Sequence, residues 1–327
     1  MFCCFIMSIF CLVAPILAWA ILNTDWSIEI SWLSMKYTPW RLFMVICATP
    51  GFISGILILF FPESPKYLLA KSQEDECLEI LKKIFKFNTN KDKSLYSVSC
   101  LKRDLDTSDL DSFEFLKDTT IYCLLQFILH SSNFGMFVFF PDIVNSVEGN
   151  SNENSSSKTM CEIYEQKLQG VYGKSEECVP KLELSTYTYY FICETAYFFG
   201  YIFLICIIKR VPKNYILAII LTATGGFGIL AAAVRNSKAS LALYTALLTS
   251  GLGMVVIGSA VVESYPTHLR ATAMSVTQLF ARLGCVVGSN YIGSLLQHHC
   301  NMSFYISSGV LVIGGILSLL LPKAAYC

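Results

Sequence analysis

Glu194 and Arg282 each sit well inside a long apolar run, about nine and eleven residues from its start. An ionised side chain inside hydrocarbon is costly, so such groups face a cavity or a partner. A carboxylate placed like Glu194 can couple protons or hold a cation. An arginine placed like Arg282 can pair with an acid or contact a solute. Gln126, His130 and Asn133 recur on one face of another apolar run at helical spacing. Together they could line a polar pathway and hydrogen-bond a small solute, and hydrogen bonding between helices is the competing reading. A second set of groups lies where apolar runs end. Glu263-Ser264-Tyr265-Pro266-Thr267-His268-Leu269-Arg270 is wedged between the runs Leu241–Val262 and Ala271–Leu296. Its proline stops either flanking helix from running through. An acid opens it and an arginine closes it, either as anchoring charges of a loop or as half of a clasp. Pro62-Glu63-Ser64-Pro65-Lys66 marks a similar exit earlier in the chain. No Ser-His-Asp set, nucleotide-binding glycine fingerprint or metal-ligand spacing occurs, and the 14 cysteines form no CxxC…CxxC pair. We therefore expect no catalytic residues, no metal and no cofactor, and do not read the chain as an enzyme.

The elements that must carry these residues are membrane spans. Of 327 residues, 54% are hydrophobic and 15% charged, against about 25% charged in soluble domains. The net charge is zero with no basic-aromatic stripe, which argues against nucleic acid as a partner. The bilayer is the partner that the composition requires. Phe2–Leu22 has the length to cross a ~30 Å hydrocarbon core. It has no basic residue in Met1–Phe10, so it reads as a span and not a signal peptide. Asn23–Trp40 is a polar connection whose Trp26, Trp32 and Trp40 suit an interfacial belt. Further spans are expected over Arg41–Phe61, Thr119–Phe140, Ser185–Ile208, Tyr215–Val234, Leu241–Val262, Ala271–Leu296 and Met302–Leu321, eight in all. Between the second and third, residues 62–118 are polar. Ser72 with Asp75 predicts a capped start there for a short amphipathic helix carrying Cys77, Leu78, Leu81, Ile84 and Phe85. The fold class expected is an all-α membrane protein.

With both ends in the cytoplasm, 15 of the 24 Lys and Arg fall on the cytoplasmic side and 8 outside, the bias of the positive-inside rule. The loop 141–184 then faces the lumen or the exterior. It carries the sequon Asn154-Ser155-Ser156, a candidate glycosylation site, and Cys161 and Cys178, which could pair in an oxidising compartment.

Several spaced motifs now point one way. Ala18-Trp19-Ala20-Ile21, Trp40-Arg41 opening a span and Pro62-Glu63-Ser64-Pro65-Lys66 resemble the middle of a major facilitator superfamily transporter. Phe140-Pro141-Asp142 at a span exit, Glu263-x-Tyr265-Pro266-Thr267-x-x-Arg270-x-x-Ala273 and Arg282-x-Gly284 are similar to the synaptic vesicle glycoprotein 2 group, near the sugar and organic-ion porters. The resemblance covers nearly the whole chain. It implies a partial helical bundle: residues 1–61 as the last two spans of an N-terminal half, 62–118 as a cytoplasmic linker, and 119–327 as a six-span C-terminal half. The eight spans would be the fifth to twelfth of twelve, so the sequence reads as a fragment. The resemblance also implies that Glu63, Glu263 and Arg270, with Arg282, act as cytoplasmic gate clasps. Gln126, His130, Asn133 and Glu194 are the substrate-path candidates. Lys209-Arg210-Val211-Pro212-Lys213-Asn214 departs from the family turn by lacking its acid and glycine. The function implied is secondary transport of a small organic solute by alternating access. The alternative is a non-transporting glycoprotein of a vesicle or surface membrane, acting through protein partners at the lumenal loop.

Overall fold

A computed structural model describes residues 2–30, 35–98, 112–149, 158–172, 184–265 and 267–321. These fall into two compact units, one of Met1–Asp25 with Asp111–Cys327 and the other of Trp26–Leu110.

The larger unit begins with α1 (Phe2–Leu22), which packs on α7 (Leu184–Ile207). Its centre is α5 (Ser112–Gly149), a single helix of 38 residues. The span expected over Thr119–Phe140 is thus too short at both ends, and Pro141 lies inside the helix instead of ending it. Proline removes one backbone donor and crowds the preceding turn. Just before that turn, Tyr244 Oη donates to the Met136 carbonyl at 2.7 Å. Around α5 stand α7, α8 (Lys213–Ala233), α9 (Ser237–Leu248) continuing through a 3-10 turn (Thr249–Gly251) into α10 (Leu252–Ser264), then α11 (Thr267–His298) and α12 (Cys300–Ser318). α5 packs chiefly on α11, and α8 on α12.

Lipid tails are as apolar as leucine, so helices in a bilayer are held by close packing and not by the hydrophobic effect. The α5–α11 seam shows how. A Cβ built on Gly135 would lie 2.9 Å from the Gly288 backbone, and one on Gly284 would lie 2.6 Å from the Phe127 carbonyl oxygen. Only glycine lets these two backbones approach so closely. Nearer the far end, Phe140, Tyr190, Tyr244 and Phe304 interlock edge to face at centroid distances of 5.0 to 5.2 Å, a geometry their ring quadrupoles favour. Asn236 caps α9, its side-chain oxygen accepting from the amides of Lys238 and Ala239.

The expected loop 141–184 is partly helical. Beyond the extension of α5, residues Met160–Tyr172 form α6, with Met160, Cys161, Ile163 and Tyr164 buried. Cys161 is disulfide-bonded to Cys300, with a Cα–Cα distance of 5.4 Å. This corrects the expected Cys161–Cys178 pairing. The two partners are 139 residues apart, and α6 meets α12 only because it folds back over the bundle end. Cys178 and Asn154 lie outside the described residues. Three further bonds fasten α6: Tyr164 to Asp142 at 2.8 Å, Lys167 to Ser146 at 3.0 Å, and the Cys300 amide to Glu165 at 3.1 Å. Burial, with Asp142 beside it, pushes the Tyr164 phenol above its ordinary range, so it stays protonated and donates.

The smaller unit opens with an antiparallel pair, β1 (Ile28–Ile30) and β2 (Met35–Tyr37), in what was expected to be a plain polar connection. Glu29 and Lys36 face each other across it at 3.5 Å, and Trp26 stacks near Tyr37. Trp32 lies outside the described residues. α2 (Pro39–Ile58) follows with none of its residues buried, an apolar surface suited to lipid. α3 (Pro65–Ala70) and α4 (Glu74–Thr89) pack on each other. Ser72 does not cap α4 as expected. It adopts φ 64° and closes α3, the amides of Ser72 and Gln73 bonding back to the Leu69 and Leu68 carbonyls, a left-handed helix ending.

Seven helices among the described residues are long and apolar enough to cross a membrane, six of them in the larger unit from α5 onward. α1, the first of the eight expected spans, is a helix of 21 residues and stands outside those seven, with Ile9–Leu22 as a shorter apolar helix. The chain is an integral, multi-pass, all-α membrane protein.

Candidate functional site

The polar face of α5 is buried: Gln126 is 1%, His130 7% and Asn133 6% exposed. Each finds a different answer to its burial. Asn133 reaches across the bundle to the break between α9 and α10. At that break the Leu252 amide turns to the Thr249 and Ser250 carbonyls, the tighter 3-10 pattern, so the Leu248 carbonyl loses its ordinary partner four residues on. Asn133 Nδ2 donates to the Leu248 carbonyl at 2.6 Å and to Ser250 Oγ at 3.0 Å. Tyr197 Oη of α7 donates to the same carbonyl. Three helices thus meet at one backbone oxygen, and Gly251 leaves the room for the Tyr197 ring. One turn below Asn133, His130 Nδ1 lies 2.9 Å from the Gln126 carbonyl, and its ring stacks on Phe134 at 5.7 Å. The Gln126 side-chain oxygen is buried without a hydrogen-bond partner.

The two charges assigned to the interior flank this cluster. Glu194, half-buried, lies one turn before Tyr197 on α7 and within electrostatic reach of Cys11 of α1. Arg282 is exposed on α11 and within electrostatic reach of His130. The structure therefore gathers Gln126, His130, Asn133 and Arg282 along α5 and α11, and joins Asn133 to the helix that carries Glu194.

The motif at the other end of these helices is fastened within its own unit. Glu263 does not pair with Arg270. Its carboxylate meets Lys213 Nζ, at the start of α8, at 2.5 Å, and Lys213 also donates to the Ser259 carbonyl at 3.0 Å. The Lys213 side chain is 12% exposed and that of Glu263 55%. Arg270 Nη2 donates to the Tyr265 carbonyl at 3.2 Å, closing the turn that contains it, and its Nε is buried without a partner. Two hydroxyl pairs, Tyr122 with Ser264 at 2.7 Å and Thr119 with Tyr265 at 2.8 Å, tie the same turn to the first part of α5. Glu63 lies in the smaller unit, between α2 and α3.

Residues 4–289 match the Major Facilitator Superfamily. The chain belongs to that family. Among curated proteins it is 21% identical to human Synaptic vesicle glycoprotein 2C over 94% of this chain and 59% of that protein. It is 22% identical to mouse Solute carrier family 22 member 4 over 87% of this chain and 46% of that protein. The rat Organic cation/carnitine transporter 2 matches to the same extent, 22% over 87% and 46%. The chain thus spans about half the length of these superfamily relatives.

Sequence reasoning missed Tyr197, Ser250 and the Leu248 carbonyl. A backbone oxygen has no sequence signature of its own, although the small polar triplet Thr249-Ser250-Gly251 inside an apolar run is the trace it leaves. Lys213 stood in the sequence only as part of the turn Lys209–Asn214. Its role as the partner of Glu263 follows from α8 starting next to the end of α10, which no spacing along the chain reports.

Proposed function

We propose that this chain is part of a secondary transporter that moves a small organic solute by alternating access. The observation that carries the reading is the convergence of Asn133, Tyr197 and Ser250 on the broken helix α9–α10. A freed carbonyl beside convergent polar side chains inside an apolar bundle is the arrangement transporters use at their solute sites. Gln126, His130 and Glu194 extend the polar path, and Arg282 stands at its open side. The printed name of the rat relative, with its organic cation and carnitine, sets the first solutes to try: small organic cations and zwitterions.

Glu263 and Arg270 act at the cytoplasmic gate in this reading. Glu263 is held in place by Lys213, and Arg270 keeps the turn closed through Tyr265. The Cys161–Cys300 disulfide supports an oxidising side for α6; in this reading residues 62–118 and the 263–270 turn are cytoplasmic. The membrane is that of the cell surface or of an intracellular vesicle. Uptake of a panel of organic ions by liposomes bearing the full-length protein tests this reading, with an Arg270→Ala variant alongside. We expect saturable uptake that the variant slows several-fold; substrate-specific uptake at the same rate by both would remove Arg270 from the gate.

One observation favours a second reading. α6 is a folded, disulfide-anchored element on the outer face, a surface that a protein partner could recognise. In that case the protein is a non-transporting membrane glycoprotein, with Asn154 as a glycan site.

A further inference from the structure

The end of α4 is built for something other than water. Its first half is accounted for by α3: Leu68 and Cys77 are buried against each other's helices, and Cys77 Sγ reaches the Pro65 carbonyl at 3.1 Å. Its last turn is not. Phe87 is 90% exposed, and Leu95, in the 3-10 turn Lys93–Leu95 that follows, is 64% exposed. Ile84 and Val98 are exposed as well. Phe85 packs on Tyr96 at 5.4 Å, which folds this turn against the end of α4. Lys82, Lys86, Lys91 and Lys93 lie along the same stretch of chain with Asp92 as the acid among them, while Lys83 is paired with Glu79 at 3.3 Å. The remaining acids of the helix, Glu74, Asp75 and Glu76, are at its opposite end.

Complementing the helix dipole explains the acids in the first turn and Lys86 in the last. It explains neither an almost wholly exposed phenylalanine nor the lysines beyond the helix end. Exposed apolar side chains interspersed with cations at the end of α4 fit a surface that is anionic outside and hydrocarbon within. We propose that the Phe87–Leu95 tip of α4 docks on the anionic cytoplasmic leaflet of the membrane this protein spans, Phe87 and Leu95 entering the acyl boundary and the lysines meeting lipid phosphates. Charge complementarity selects this occupant, and position supports it. α2 leaves the membrane at Ile58, α3 starts at Pro65, and α4 is fastened to α3 by its first turns. In the proposed placement α4, a helix of 16 residues, lies along the leaflet with its last turn at the acyl boundary. The inference rests on the cytoplasmic placement of residues 62–118 and is independent of whether the protein transports anything.

The test places the photoreactive p-benzoylphenylalanine at position 87 of the full-length protein, in nanodiscs of phosphatidylcholine with or without phosphatidylserine. Mass spectrometry then identifies what the residue captures. We expect lipid adducts, about fivefold more abundant with roughly 30 mol % phosphatidylserine present. The combined Lys86→Glu, Lys91→Glu and Lys93→Glu variant, all at the surface, should lose that dependence, and the same probe in place of exposed Glu76 should capture little lipid. Adducts to this chain or to another protein in place of lipid would overturn the proposal, as would lipid capture indifferent to phosphatidylserine and to the lysines.

Discussion

Asn133 and Tyr197 together satisfy a carbonyl on a third helix that would otherwise be left unpaired in a dry environment. A buried hydrogen bond of this kind is worth about 1 kcal/mol, and bonds between membrane helices average nearer 0.6 kcal/mol. The Leu248 carbonyl has two donors, so Asn133→Ala and Tyr197→Phe should each lower the melting temperature of the purified protein modestly. The double variant should lose more than the sum, because only then is the oxygen left bare; a strictly additive result would show the two donors act separately. Glu263 and Lys213 make a different kind of pair. Lys213 is largely buried and Glu263 half in solvent, so the attraction is screened and worth about 0–1 kcal/mol. Lys213→Met should therefore cost little, whereas Glu263→Gln, which leaves the ammonium unpaired, should cost more and be partly rescued by adding Lys213→Met. Thermal melts of the four proteins would measure that coupling.

Among the elements, the α5–α11 seam and the α6 cap carry the clearest expectations. A leucine in place of Gly288 would drive into the Ser131 backbone, and since neither backbone can yield, Gly288→Leu should abolish the folded monodisperse protein. Gly258 has nothing within 4 Å of an added Cβ, so Gly258→Ala should be silent in size-exclusion profile and melting temperature. The cap rests on Cys161 and Cys300. Peptide mapping without reduction should find that pair joined, and Cys300→Ser should speed hydrogen exchange in residues 160–172 while leaving α8 protected; uniform exchange across both would mean the cap and bundle open together. The spans were legible because runs of some twenty apolar residues admit one structure in a bilayer. The extension of α5 past Pro141 and the helix α6 were not, because Asp142, Ser146, Glu148 and Tyr164 look like loop residues until their partners across the fold are known.

For the whole molecule, the motifs Glu263 to Arg270 and Pro62 to Lys66 were sufficient to point to the family, which the match over residues 4–289 establishes. The partnerships inside those motifs were hidden: Glu263 meets Lys213, and Arg270 closes its own turn. Which of Gln126, His130 and Asn133 bonds across the bundle is likewise a property of helix rotation and not of spacing. Transport is the claim on which the functional reading turns, and the Asn133–Tyr197 clasp is where it is most exposed. Exchange of a labelled organic cation across liposomes bearing the full-length protein, wild type against the Asn133→Ala, Tyr197→Phe double variant at matched protein levels, measures both at once. We expect saturable exchange that falls at least about tenfold in the variant. Exchange no faster than in protein-free liposomes for any organic ion would contradict transport, and undiminished exchange by the variant would contradict the place of the clasp in it.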